Sequence, residues 1–231
     1  MPASRFVVEL VARSPLSSRV HRLRFAARAP FDWAAGQHLV VVFGQGQALF
    51  LPYSIASASD QKNPGEFELA VAVDAGAPVM DTLPLGAELE VEGPAGNFTW
   101  QGAPSPGALL VGVGTGIAPL RALIEEELAR ASDTEITLLA GHRAHDDVLF
   151  AADFARLAAE HARFHFIPTL TSGGPTWLGR RGRVQAQLAE AVNSLAPLDA
   201  YVCGRLDMVS EVVRILVAHG VPESRIRSEG F

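Results

Sequence analysis

The hydrophobic period of this chain changes once, near residue 104, so the two parts must be built differently. Before that point apolar residues alternate with polar ones in short runs. Residues 5–11, 19–25, 38–43, 66–73 and 88–92 each read as a strand, separated by Gly and Pro clusters. A period of two sends successive side chains to opposite faces of a sheet. Short strands at even spacing make a small antiparallel barrel or sandwich. One helical turn is expected at 79–83, and 101–107 (QGAPSPG) reads as a linker.

After the linker, Ala108-Leu109-Leu110-Val111-Gly112-Val113 is continuously apolar, as a strand buried on both faces requires. Leu120, Leu123, Ile124 and Leu128 then recur at helical spacing, with Arg121, Glu125 and Glu126 between them. Further strands are expected at 135–140, 163–168 and 199–203, and helices at 151–161, 184–195 and 207–219. This alternation predicts a Rossmann-like parallel sheet covered on both faces. The chain therefore divides into 1–103 and 104–231.

Composition narrows the chemistry. The 231 residues are 48% hydrophobic and 19% charged, enough apolar material for a sizeable core. The formal charge of −6 argues against a sequence-blind grip on nucleic acid. A lone cysteine, Cys203, rules out a disulfide framework, a Cys-ligated zinc or an iron–sulfur cluster within this chain. Lys62 is the only lysine, which leaves lysine-based covalent catalysis almost no candidate. No run approaches the roughly 20 apolar residues that span a bilayer, and the start lacks an apolar signal core, so a cytoplasmic protein without a membrane partner is expected. His161 and His165 have helical spacing but straddle a helix end and a strand, so no metal site is expected. Glu125-Glu126-Glu127 reads as a solvated helix face.

The turn after the first buried strand carries the chemistry. In Val111-Gly112-Val113-Gly114-Thr115-Gly116-Ile117-Ala118-Pro119, glycines let the backbone turn sharply and bring N–H groups up to a pyrophosphate at a helix N-terminus. Pro119 suits a first helical turn, where its missing N–H costs nothing. The usual dinucleotide fingerprint fails twice. Ile117 stands where a third small residue belongs, and Ala140-Gly141-His142-Arg143 supplies no acidic residue for a ribose.

The string Gly112-x-Gly114-Thr115-Gly116-Ile117-Ala118-Pro119 resembles the pyridine-nucleotide turn of the ferredoxin–NADP reductase superfamily. Other segments agree in order. Pro52-Tyr53-Ser54-Ile55-Ala56-Ser57 resembles its flavin strand, Trp177-x-Gly179-x-x-Gly182-x-Val184 its second nucleotide loop, and Cys203-Gly204-x-x-x-Met208 its nicotinamide-side loop. Glu229-Gly230-Phe231 resembles its Glu-x-aromatic terminus. Length and the Val79-Met80-Asp81 stretch bring the chain nearest to the short NAD(P)H–flavin oxidoreductases. The resemblance implies a six-stranded antiparallel flavin-binding barrel at 1–103 and an NAD(P)-binding domain at 104–231.

It also implies roles. Pro52, Tyr53, Ser54, Ile55, Ala56, Val79 and Met80 would hold FAD or FMN. Gly112, Gly114, Thr115, Gly116, Ile117, Pro119, Arg143, Gly204 and Met208 would hold NADH or NADPH. Ser54, Cys203 and Glu229 would lie at the reacting atoms, with Ser54 near flavin N5 and Cys203 near nicotinamide C4, and Phe231 would cover the flavin. Arg180, Arg181 and Arg183 would reach the nucleotide phosphates with Arg143.

Two departures matter. Members that hold FAD tightly place an arginine where Leu51 stands and a Ser or Thr where Met80 stands. Each lost charge-assisted bond is worth about 1.5–3 kcal/mol, so FAD would be weakened by about two to four decades. The flavin is then an exchanging substrate, or FMN replaces FAD, or other contacts hold FAD; the first is the reading taken here. Two rivals stand beside it: a reductase passing electrons to a ferredoxin or oxygenase, and a regulatory module with a decayed flavin site.

Overall fold

The computed structural model describes residues 4–28, 31–43, 49–60, 62–73, 80, 82–101, 105–195 and 197–231. Val79, part of the expected helical turn and part of the expected linker lie outside them.

Alternation in the first part produces six strands: β1 (Ser4–Ser17), β2 (Val20–Ala27), β3 (His38–Phe43), β4 (Leu49–Ser54), β5 (Glu66–Ala72) and β6 (Glu88–Ala95). They form one antiparallel sheet in the order β4-β3-β6-β1-β2-β5. A bridge between Ile55 and Leu69 joins its two ends, and the N–H of Ala56 donates to the carbonyl of Glu68 at 2.7 Å, so the sheet closes into a barrel. The apolar alternates, among them Leu10, Leu23, Phe25, Leu39, Val41, Phe67 and Leu69, fill the interior. Their partners in the alternation face outward, and on β5 these are Glu68, Ala70 and Ala72.

The second part holds β7 (Gly107–Val113), α1 (Ile117–Leu128), β8 (Glu135–His142), α2 (Ala151–Glu160), β9 (Phe164–Leu170), β10 (Arg180–Arg181), α3 (Leu188–Leu195), β11 (Leu198–Gly204), α4 (Leu206–Ala218) and β12 (Ile226–Gly230). The sheet is parallel, in the order β10-β9-β8-β7-β11-β12. The continuous apolar runs are explained by the two faces. Ala108, Leu110, Ile136 and Leu138 pack under α1 and α2, whereas Leu109, Val111, Leu139 and Val202 pack under α3 and α4.

The core under α1 does not stop at the sheet. It takes in Val20, Ala35, Ala56, Ala70 and Phe98 of the barrel, so the two parts share one apolar interior. The expected helix at 184–195 is divided into a 3₁₀ turn at Val184–Gln187 and α3. Strands β10 and β12 were not expected. Both are edge strands, solvated on their outer sides, so they carry no apolar pattern to read. Chain order reverses at β7, with β8 on one side and β11 on the other. Open α/β sheets bind ligands at the carboxyl ends of such strands.

Candidate active site

The glycine turn sits where β7 and β11 end. Gly114 has φ of 55°, a conformation that costs a residue with Cβ. Gly116 has an ordinary φ but no room: a Cβ there would lie 2.5 Å from the Cys203 carbonyl oxygen and 2.6 Å from the Gly204 nitrogen. Gly112, Gly116, Ile117 and Pro119 are buried and shape the turn, whereas Gly114 and Thr115 reach the cavities on either side of it. Ile117 replaces a small residue because its side chain fills the shared apolar core.

The first cavity, about 440 Å³, is bounded by both parts of the chain. The barrel contributes His38, Pro52, Tyr53 and Ser54 with a floor of Ala70 and Ala72; the turn adds Thr115 and Ala118; the chain end adds Glu229, Gly230 and Phe231. With small residues in its wall beside Tyr53 and Phe231, this cavity has room for a flat ring system. Burial raises the Tyr53 phenol above its usual range. The Ser54 hydroxyl has no hydrogen-bond partner among the described residues. Phe231 is 64% exposed, yet its backbone is held on both sides. Its N–H donates to the Gly204 carbonyl at 3.1 Å, and its carbonyl accepts from the Leu206 N–H at 3.3 Å.

Several residues expected at the flavin lie elsewhere. Ile55 points into the barrel core and Ala56 is buried against α1, so neither side chain lines the cavity. Met80 is fully buried in the barrel, held there as Arg13 donates to the carbonyls of Met80 at 3.5 Å and Leu83 at 2.5 Å. Its side chain is therefore a core residue rather than a phosphate contact. Cys203 is also fully buried under α1 and lines neither cavity. Desolvation, then the charge of Glu229, pushes its thiol far above the usual range, so it is a neutral packing group.

Glu229 stands in register with Cys203 across β11 and β12. Burial raises its carboxyl pKa, against the opposing charge of His38. His38 was not singled out in the sequence, where it is only the first residue of an apolar run. Pairing of β3 with β4 sets it directly across from Ser54, beside Glu229 in the cavity wall.

The second cavity, about 720 Å³, lies over the carboxyl ends of β7, β8 and β11. Gly114, Arg143, Arg183 and Met208 line it, and Arg19 reaches it from the β1–β2 hairpin. His142, also in its wall, is 8% exposed and has no partner for Nε2 among the described residues; desolvation lowers its pKa to about 4, so it is neutral. Of the four arginines expected at the phosphates, Arg143 and Arg183 line this cavity and Arg180 and Arg181 do not. Arg180 pairs with Glu190 at 2.5 Å, and Arg181 donates to the carbonyls of Gly174 and Trp177 at 2.7 and 2.6 Å.

The acidic triplet of α1 is not a solvated face. The Glu125 carboxylate accepts from the Ala58 N–H at 3.1 Å and that of Glu126 from the Ala35 N–H at 2.8 Å. Glu127 is fully buried, held by Ser132 at 2.5 Å and Arg130 at 2.9 Å. Helical spacing identified these residues as off the apolar stripe. It carried no sign that a barrel would pack on that side.

Comparisons with known proteins agree with this geometry. Residues 7–100 match the family model of the oxidoreductase FAD-binding domain, and 110–214 that of the oxidoreductase NAD-binding domain. Ferredoxin–NADP reductase B of Sorangium cellulosum is 35% identical over 244 residues, covering 99% of this chain and 98% of that one. The NAD(P)H-flavin reductase of Vibrio harveyi is 27% identical, with 84% of each chain covered. A crystal structure of an Amycolatopsis cytochrome P450 reductase superposes on all of this chain and 70% of that one, with a TM-score of 0.88 at 27% identity. The FAD- and NAD-binding matches, with a barrel and a parallel sheet meeting at one cavity, define a flavin- and nicotinamide-dependent oxidoreductase. The chain belongs to the ferredoxin–NADP reductase superfamily.

Proposed function

We propose that this enzyme reduces a flavin with NAD(P)H, the flavin binding and leaving as a substrate. The barrel, residues 1–103, would seat the flavin and residues 104–231 the nucleotide. The carrying observation is the ring cavity itself. It is assembled from both parts, yet no Lys or Arg is among the described residues that line it. Leu51 stands in its wall and Met80 in the core, so the two usual anchors of an FAD pyrophosphate are absent. A site with this lining fits the isoalloxazine and ribityl parts, which riboflavin, FMN and FAD share.

Bound together, the rings supply the redox chemistry: nicotinamide C4 gives up a hydride and flavin N5 receives it. The chain positions them. Tyr53 would lie against one ring face, Ser54 Oγ would donate toward N5, and Phe231 would cover the face that nicotinamide must occupy. Glu229, with His38 beside it, stands in the cavity wall, its carboxyl pKa raised by burial. Arg143 and Arg183 face the nucleotide phosphates. No carboxylate ends β8 in the usual ribose position, so NADPH and NADH both fit.

Calorimetric titration tests the reading. Dissociation constants for riboflavin, FMN and FAD are expected within about tenfold of one another, since one charge-assisted bond accounts for about that factor or more. The apoprotein should oxidise NADH or NADPH only when flavin is added. Protein that purifies with stoichiometric FAD, binding it a thousandfold tighter than riboflavin, contradicts exchange. That result supports a second reading, which the relative named a ferredoxin–NADP reductase favours. In it, the chain keeps its FAD and passes electrons to a redox protein.

A further inference from the structure

Helix α1 leads directly out of the glycine turn, and its fifth residue is Arg121, whose side chain is only 7% exposed. The guanidinium is divided between the two parts of the molecule. Nη1 donates to the Ala56 carbonyl at 2.7 Å and to Glu68 at 2.8 Å, both in the barrel. Nη2 pairs with Glu125 of its own helix at 2.7 Å, and Nε faces Asp153 of α2 at 3.9 Å. From the barrel side, Arg22 pairs with the same Asp153 and lies 3.7 Å from the same Glu68. Both guanidinium carbons sit over one ring, that of Phe150, at 4.9 Å for Arg121 and 5.1 Å for Arg22. Phe150 is the one non-glycine residue with positive φ among the described residues, at 55°. A bulky side chain in that conformation persists only where its surroundings over-determine it.

The rest of this interface is apolar packing of Ala56, Ala70 and Phe98 with Ala118, Leu120 and Leu123, flanked by the bonds from the Ala58 and Ala35 N–H groups to Glu125 and Glu126. Apolar contact is not directional, so alone it would tolerate small sliding of the barrel over the helix. Buried ion pairs add little net stability, but they have fixed geometry, and Arg in particular presents a planar fork. The placement of this fork matters. Ala56 follows Tyr53 and Ser54 on the same segment, and Arg121 follows Thr115 and Ala118 on the same turn. A single guanidinium thus ties the segment beneath the flavin slot to the segment beneath the nicotinamide.

We propose that Arg121 is a positioning residue: with Glu68, Arg22, Asp153 and Phe150 it clamps the barrel to the nucleotide half and sets the separation of the two rings. The inference rests on the hydride-transfer reading above. It goes beyond that reading by assigning the ring separation to a side chain that touches neither ring.

The test is anaerobic reduction of flavin at saturating nucleotide with wild type, Arg121→Met and Arg121→Lys. Misplacement by about 1 Å can slow an oriented reaction about a hundredfold. Arg121→Met is expected to slow reduction at least about tenfold, with KM for nucleotide and flavin changed less than about twofold. It should also weaken the long-wavelength charge-transfer absorbance of nicotinamide stacked on flavin. Arg121→Lys, whose ammonium cannot form the fork, should fall between the two and carries the test if Arg121→Met does not fold. Amide exchange at Ala58 and Ala35, whose N–H groups bond to α1, should quicken in step with the loss of rate. Variants that keep the wild-type rate and charge-transfer band overturn the clamp, as does a loss confined to KM. A wild type that reduces no flavin overturns the function of the preceding section. In that case unchanged exchange at Ala58 and Ala35 in the variants overturns the clamp separately.

Discussion

Gly116→Ala is expected to lose both stability and nearly all turnover, although it adds a single methyl group. The added carbon would stand 2.5 Å from the Cys203 carbonyl oxygen and 2.6 Å from the Cys203 carbonyl carbon and the Gly204 nitrogen. These are backbone atoms, so no rotamer change relieves the overlap. They also cannot retreat: β11 is paired to β7 on one side and β12 on the other. The turn must move instead. Overpacking of this kind costs about 1–3 kcal/mol, which for a chain of this size lowers Tm by roughly 2–12 °C. A turn displaced by about 1 Å, carrying the nucleotide with it, is expected to lower kcat/KM about a hundredfold. Gly114→Ala is the control. A Cβ there meets nothing within 4 Å, and only its φ of 55° is unfavourable. That substitution should cost about 1–2 kcal/mol through backbone strain alone, with no collision against β11. Thermal melts and steady-state kinetics on the pair separate crowding from backbone strain. A Gly116→Ala enzyme with wild-type Tm and turnover contradicts the account.

Ser54→Ala should do the opposite, sparing the fold and the flavin affinity while slowing the chemistry. Ser54 ends β4 in the wall of the ring cavity, across from His38. No described residue occupies its hydroxyl, so its removal strands no protein group. A neutral hydrogen bond contributes about 0.5–1.5 kcal/mol net, so flavin affinity should change less than about tenfold. A donor that acts mainly as charge moves to the acceptor atom is worth more. Removing one such donor typically costs about a hundredfold to a thousandfold in rate, and about a hundredfold is expected here. Ser54→Thr keeps the hydroxyl and suits a strand, so it should recover much of the rate. Stopped-flow reduction beside equilibrium titration reads both quantities. If Ser54→Ala reduces flavin at the wild-type rate, the hydroxyl has no part in the transfer.

What could be read in advance followed from what leaves a local pattern. The antiparallel strands were legible because each buries one face, which forces alternation such as Leu23 and Phe25 in against Arg22 and Arg24 out, although alternation alone fits a sandwich as well as a closed barrel. The doubly covered sheet was legible because burial on both faces forbids alternation. The glycine turn stood out because its spacing reflects backbone demands. Long-range partnership leaves no such mark. Arg121 and Glu125 look like a solvated helical pair, and only the barrel's arrival makes them an interface. His38 looks like a strand residue until register sets it across from Ser54. Strand β12 was missed since an edge strand reading Ile-Arg-Ser-Glu-Gly has little to bury, although it brings Glu229 and Phe231 to the ring cavity. Ile55, Ala56, Met80 and Cys203 were assigned to the site by their motifs. The structure uses their side chains as packing beneath it.

The proposed reaction is a direct hydride transfer between two rings held in the slot between barrel and sheet. Anaerobic rapid mixing of enzyme and flavin with NADH or NADPH, protiated or deuterated at C4 on either face, tests it most directly. Bleaching of the oxidised flavin is expected, slowed by deuterium on one face of the nicotinamide and not the other, with the label found at flavin N5 before exchange. Absence of bleaching with riboflavin, FMN and FAD alike, or bleaching indifferent to deuterium on both faces with no label transferred, would contradict it.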